Sequence, residues 1–98
     1  MDIHAHCNKR GCFIFGNTMK DKEKAIEQML IPKLMSMNSM NFDIKECSFN
    51  DEKNNVKDGK GMGRDGSGRA GIFKITELTH CFTLEANYCT GHRVNTLK

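Results

Sequence analysis

Residues 50–68 are polar, charged and glycine-rich, and this stretch limits the fold more than any other feature of the chain. It carries Asp51-Glu52-Lys53-Asn54-Asn55 and then Lys60-Gly61-Met62-Gly63-Arg64-Asp65-Gly66-Ser67-Gly68, with Val56 and Met62 as its only apolar side chains. Such a segment cannot pack as core and is expected to form a long mobile loop. The flanks must therefore supply the core of a 98-residue chain that is 38% apolar, has no Trp and has one Tyr. Its mean hydropathy of −0.57 is low for a self-sufficient core, and a chain this short buries only a modest share of its surface. Two organisations fit: a small polar domain, or a piece of a larger domain whose other strands complete the core.

The flanks show recognisable elements. Residues 3–6 alternate apolar and polar like the end of a strand, and Asn8-Lys9-Arg10-Gly11 is a polar break. Cys12-Phe13-Ile14-Phe15, bounded by glycines, reads as a buried strand. Asn17 or Thr18 can cap a helix over about residues 20–37, with Asp21 and Glu23 in its first turns, where the dipole favours negative charge. Ile26, Met29, Leu30, Leu34 and Met37 recur at helical spacing and are expected to face the core. Pro32 should kink or restart that helix. Residues 42–49 are expected to hold a short strand, and 69–75 suit a helix or a strand equally. Residues 80–88 alternate clearly: Phe82, Leu84, Ala86 and Tyr88 face one way, Thr83, Glu85 and Asn87 the other.

Composition excludes several classes. A net charge of +3, from 15 basic and 12 acidic residues, does not call for nucleic acid. No run of 18 apolar residues exists to span a membrane, and the first ten residues contain no secretory apolar region. Five cysteines, an odd number without a framework, fit reduced thiols in the cytoplasm better than disulfides.

Three groups of residues could carry chemistry. His4 and His6, two apart on a strand, project from the same face and could help bind zinc, although a catalytic site needs about three protein ligands; two polar residues on a solvated strand face would look the same. Glu85 sits in an otherwise apolar and Thr-rich strand, where an unpaired carboxylate is costly to bury. It implies a cleft and a general base, or else the exposed face of an edge strand. Lys57, Lys60, Arg64 and Arg69 could bind an acidic polymer or simply solvate a loop. The glycine-rich stretch lacks the G-x-x-x-x-G-K-[ST] spacing of a phosphate loop. No C-x-x-C pair exists, so a small zinc domain built from Cys7, Cys12 and the histidines is a weak reading.

The segment Asp2-Ile3-His4-Ala5-His6-Cys7-Asn8-Lys9-Arg10-Gly11-Cys12-Phe13-Ile14-Phe15-Gly16-Asn17 resembles the D-[LI]-H-[AG]-H block of the cytosolic carboxypeptidases, zinc enzymes that include tubulin deglutamylases. Met29-Leu30-Ile31-Pro32-Lys33-Leu34, Gly66-Ser67-Gly68-Arg69 and Thr83-Leu84-Glu85-Ala86-Asn87-Tyr88 with Thr90-Gly91 are similar to later blocks of that family, in order. The resemblance implies an α/β fold: the C-terminal part of an α/β/α zinc carboxypeptidase domain with a mixed, mostly parallel sheet, occupying residues 1–98. It implies that His4 ligates one zinc ion and that Glu85 is the catalytic glutamate. It further implies that Arg69 receives the side chain of the substrate glutamate and that His6 shapes the substrate groove without ligating metal. Substrates would be acidic protein tails such as polyglutamylated tubulin, in the cytoplasm and on the cytoskeleton, with no nucleic acid or membrane partner. The family's H-x-x-E motif, which supplies two further zinc ligands, is absent from these 98 residues, as are the asparagine and arginine that grip the terminal carboxylate. The chain is therefore expected to be a fragment, inactive alone. The alternative is a non-catalytic remnant that binds acidic tails.

Overall fold

The structure is a computed structural model that describes residues 1–7, 9–50 and 68–96. The expected loop over 50–68 lies almost wholly outside the described residues. Three strands form one mixed sheet in the order β1-β3-β2, with β1 at Asp2–His6, β2 at Cys12–Phe15 and β3 at Thr83–Asn87. β1 runs parallel to β3 and β2 antiparallel to it, so the first and last segments of the chain are neighbours. Helices α1 (Lys22–Gln28) and α2 (Leu30–Asn38) follow β2, and α3 (Gly68–Thr76) precedes β3. This is an α/β arrangement.

Alternation along the strands sorts the two faces of the sheet. Ile14 and Leu84 point to the face where the core lies, with Ile14, Phe42 and Phe82 buried at its centre. Ile31 and Met35 of α2 close it from above, together with Cys12, Ile44, Cys47 and Phe49. Residues 42–49, expected to hold a strand, instead touch β2 at two single parallel bridges, Cys12 with Phe42 and Phe15 with Ser48. A 3₁₀ turn at Ile44–Glu46 separates the bridges. Its cap, Asp43, accepts from the Lys45 amide, and that turn prevents a continuous ladder.

The long helix divides at Met29. Pro32 has no amide proton to give to the carbonyl four residues back, so α1 ends at Gln28 and α2 starts at Leu30. The expected stripe is not core: Ile26 is 74% exposed, Leu30 55% and Met37 62%. Gln28, Pro32 and Ser36 are the buried face instead. The Gln28 side chain sets this rotation, since its Oε1 accepts from the Asn17 amide and its Nε2 donates to the Asn17 carbonyl, both at 2.9 Å. A buried amide that satisfies a strand end outweighs a few exposed methylenes, because leaving either partner unmade costs about 1–3 kcal/mol. Asn17 is thereby buried between strand and helix and caps nothing. The cap is Asp21, whose Oδ1 accepts from the Glu23 amide at 2.9 Å.

Gly11 turns the chain into β2 with φ +68°, a conformation that favours glycine. A Cβ there would lie 2.6 Å from the Asn41 carbonyl oxygen.

Candidate active site

The second face of the sheet carries the polar row. Parallel register sets Asp2 opposite Thr83, His4 opposite Glu85 and His6 opposite Asn87. Because register partners share a face, the first and last strands deliver all six side chains to one side of the sheet. Phe13 and Phe15 of β2, register partners of Glu85 and Thr83, extend that face as a buried apolar wall.

His4 lies between two carboxylates. Its Nε2 is 3.0 Å from Asp2 Oδ2, and its Nδ1 is 3.6 Å from Glu85 Oε1. The His4 side chain is 44% exposed and that of Glu85 only 11%. Glu85 is thus a largely buried carboxylate flanked in the sheet by Phe13 on one side and the half-exposed His4 on the other. His6 is half-buried one step along the same row. Its ring packs on Phe13 with centroids 5.3 Å apart, and its Nδ1 accepts from the Lys9 amide at 3.4 Å.

Arg69, in the first turn of α3, is 3% exposed. Its Nη1 donates to the Gly16 carbonyl at 2.9 Å and to Asn17 Oδ1 at 2.5 Å, which ties α3 to the end of β2. It also lines a cavity of about 400 Å³ with Asp2, Gly68, Ile72, His80 and Phe82. The cavity begins at the carboxylate that holds His4. A second cavity, of about 260 Å³ and bounded by Met19, Lys24 and Phe73, contains none of the residues above. Lys57, Lys60 and Arg64 lie outside the described residues.

Among the described residues, no three His, Cys, Asp or Glu side chains converge as a metal cluster. Among the described residues, Cys7 and Cys12 do not converge with the histidines. The cysteines are all free thiols, with Cys7 and Cys89 exposed. Burial pushes the Cys12 thiol up from its ordinary range and pushes Cys47 up to about 11. These two belong to the core side of the sheet, away from the polar row.

The residue given no role from the sequence is Asp2. The signal was available, since a period of two places it on the face of His4. What the pattern does not contain is the parallel pairing of β1 with β3, across about 80 residues, which brings Glu85 to the same imidazole.

No family model matches the chain. Individual relatives do. The chain is 43% identical over 98 residues to Cytosolic carboxypeptidase-like protein 5 of Homo sapiens, a match spanning 99% of this chain and 11% of that protein. The Danio rerio protein of the same name is 42% identical over the same span. Cytosolic carboxypeptidase 6 of Homo sapiens is 34% identical over 88 residues, which is 90% of this chain and 16% of that one. The chain thus covers roughly a ninth of the length of these carboxypeptidase-like relatives. Along its whole matched length, this chain belongs to the cytosolic carboxypeptidase family.

Proposed function

We propose that this stretch supplies part of the active site of a zinc carboxypeptidase that removes glutamates from acidic protein tails, polyglutamylated tubulin among them. The observation that carries the reading is the His4–Glu85 pair: a half-exposed imidazole whose Nδ1 lies 3.6 Å from a largely buried carboxylate. An imidazole with a carboxylate at one ring nitrogen is the arrangement of a metal-ligating histidine, so His4 fits one position of a zinc site. The remaining ligands come from outside the described residues, and the chain alone is expected to hold zinc weakly and release no glutamate. When bound, zinc supplies Lewis acidity to the scissile carbonyl and to the attacking water.

Glu85 accepts the proton of that water on its carboxylate and returns it to the leaving amine, acting first as base and then as acid. Phe13 and Phe15 keep the carboxylate's surroundings dry, which strengthens its interactions with the reacting groups. Arg69 brings positive charge to the wall of the cavity beside Asp2, matching a glutamate side chain in sign. His6, packed on Phe13, shapes the groove next to His4. The cytoplasm, where such tails occur on the cytoskeleton, is the compartment the relatives' names point to.

The test is glutamate release by a carboxypeptidase that carries this stretch. Peptides ending in glutamate should be cleaved at least about tenfold faster than the same peptides ending in lysine, because a like charge facing Arg69 costs on the order of 1.4 kcal/mol or more. Equal rates would reject the glutamate preference, and turnover that survives exhaustive chelation of metal would reject the zinc site.

A further inference from the structure

We infer that Asp2 is the positioning residue of His4: its carboxylate fixes which imidazole nitrogen carries the proton and so which one is left for metal. This rests on the zinc carboxypeptidase reading above and deepens it by naming the group that prepares the ligand. Asp2 Oδ2 lies 3.0 Å from His4 Nε2. A carboxylate only accepts, whereas a neutral imidazole has one donor and one acceptor. The nearer carboxylate, 3.0 Å from Nε2, therefore favours the proton on Nε2 and leaves the lone pair on Nδ1, the nitrogen that faces Glu85 at 3.6 Å. Two residues apart on one strand, the pair shares a face, so the contact follows from β1 itself.

The surroundings hold Asp2 in place. Its backbone amide donates to the Phe82 carbonyl at 2.8 Å, which locks the start of β1 to β3. Gly68, the first residue of α3, packs so closely that a Cβ built on it would stand 3.2 Å from Asp2 Oδ2. The carboxylate is therefore boxed between the imidazole and the first turn of a helix, whose positive end favours a negative neighbour. Asp2 also lines the cavity that contains Arg69, so one side chain borders both the proton-bearing nitrogen of His4 and the proposed substrate pocket.

The experiment compares wild type, Asp2→Ala and Asp2→Asn in the intact carboxypeptidase that carries this stretch, with zinc itself as the probe. In the metal-free protein, nitrogen-15 NMR of labelled histidine should show His4 as the Nε2–H tautomer in wild type and as a mixture in both variants. Asn offers both a donor and an acceptor and no longer selects one form. Zinc affinity, measured by competition with a chelator, should fall roughly 10–100-fold in either variant. If Asp2→Ala fails to fold, Asp2→Asn, nearly identical in shape, carries both readouts. A wild-type His4 in the Nδ1–H form, or variants that keep wild-type tautomer and zinc affinity within about twofold, would overturn the assignment. Wild-type protein that binds no zinc, yet loses the Nε2–H form in the variants, would sink the functional reading while leaving Asp2's hold on His4 intact.

Discussion

His4 has a carboxylate oxygen at each ring nitrogen, Asp2 at 3.0 Å and Glu85 at 3.6 Å, and a neutral imidazole can donate to only one of them. Under the proposed function, a metal ion at Nδ1 would resolve the conflict. The opposite situation holds for Cys47 on the core side. Burial disfavours its thiolate first, and the negative groups Asp43 and Glu46 add to this, although the Ile14 amide, which donates to the sulfur at 3.3 Å, works the other way. The thiol is pushed from its ordinary value of 9.0 to about 11. Between those values the unfolded chain has lost the proton and the folded chain keeps it, so stability present below about pH 9 is lost as pH rises toward 11. Urea titrations over this range should show a shallower decline in Cys47→Ala than in wild type. Parallel slopes would mean that the thiol does not titrate in this window.

Helices α1 and α2 show where the element scale departs from pattern. The apolar period of Ile26, Met29, Leu30, Leu34 and Met37 is genuine, yet a buried Gln28 amide and the Pro32 break turn a different face to the sheet. Gln28→Leu should cost about 2–4 kcal/mol, because both the amide and the carbonyl of Asn17 are left buried without a partner. Leu34→Gln, on the exposed stripe, should stay within about 0.5 kcal/mol. Ile14→Ala, at the core centre, should cost about 2–5 kcal/mol. Denaturant midpoints read all three, and a large loss for Leu34→Gln would mean that the stripe is buried after all. The strands were legible because alternation is local: β2 runs over the four residues its apolar run marks, and Glu85 falls on the polar face of β3. The helix rotation was not legible, because one long-range pair of hydrogen bonds decides it. Nor was the Asn17 environment, where Arg69, Gln28 and the Cys81 carbonyl meet from three distant parts of the chain.

At the scale of the molecule, the site exists because the chain's first strand pairs in parallel with its last. A slip of one residue in that pairing would send Glu85 to the core face and leave His4 alone in the polar row. The cavity beside Asp2 depends on the same closure, since its walls come from β1, α3 and the residues leading into β3. The relatives are roughly nine times longer than the matched stretch. The most direct measurement is glutamate release from a polyglutamylated peptide by the intact carboxypeptidase carrying this stretch, with and without Glu85→Gln, at equal zinc content. Loss of one general base predicts a fall in kcat of about 10²–10⁴-fold with zinc and peptide still bound. Turnover by Glu85→Gln within a few-fold of wild type would contradict the pairing of His4 and Glu85 as one catalytic unit.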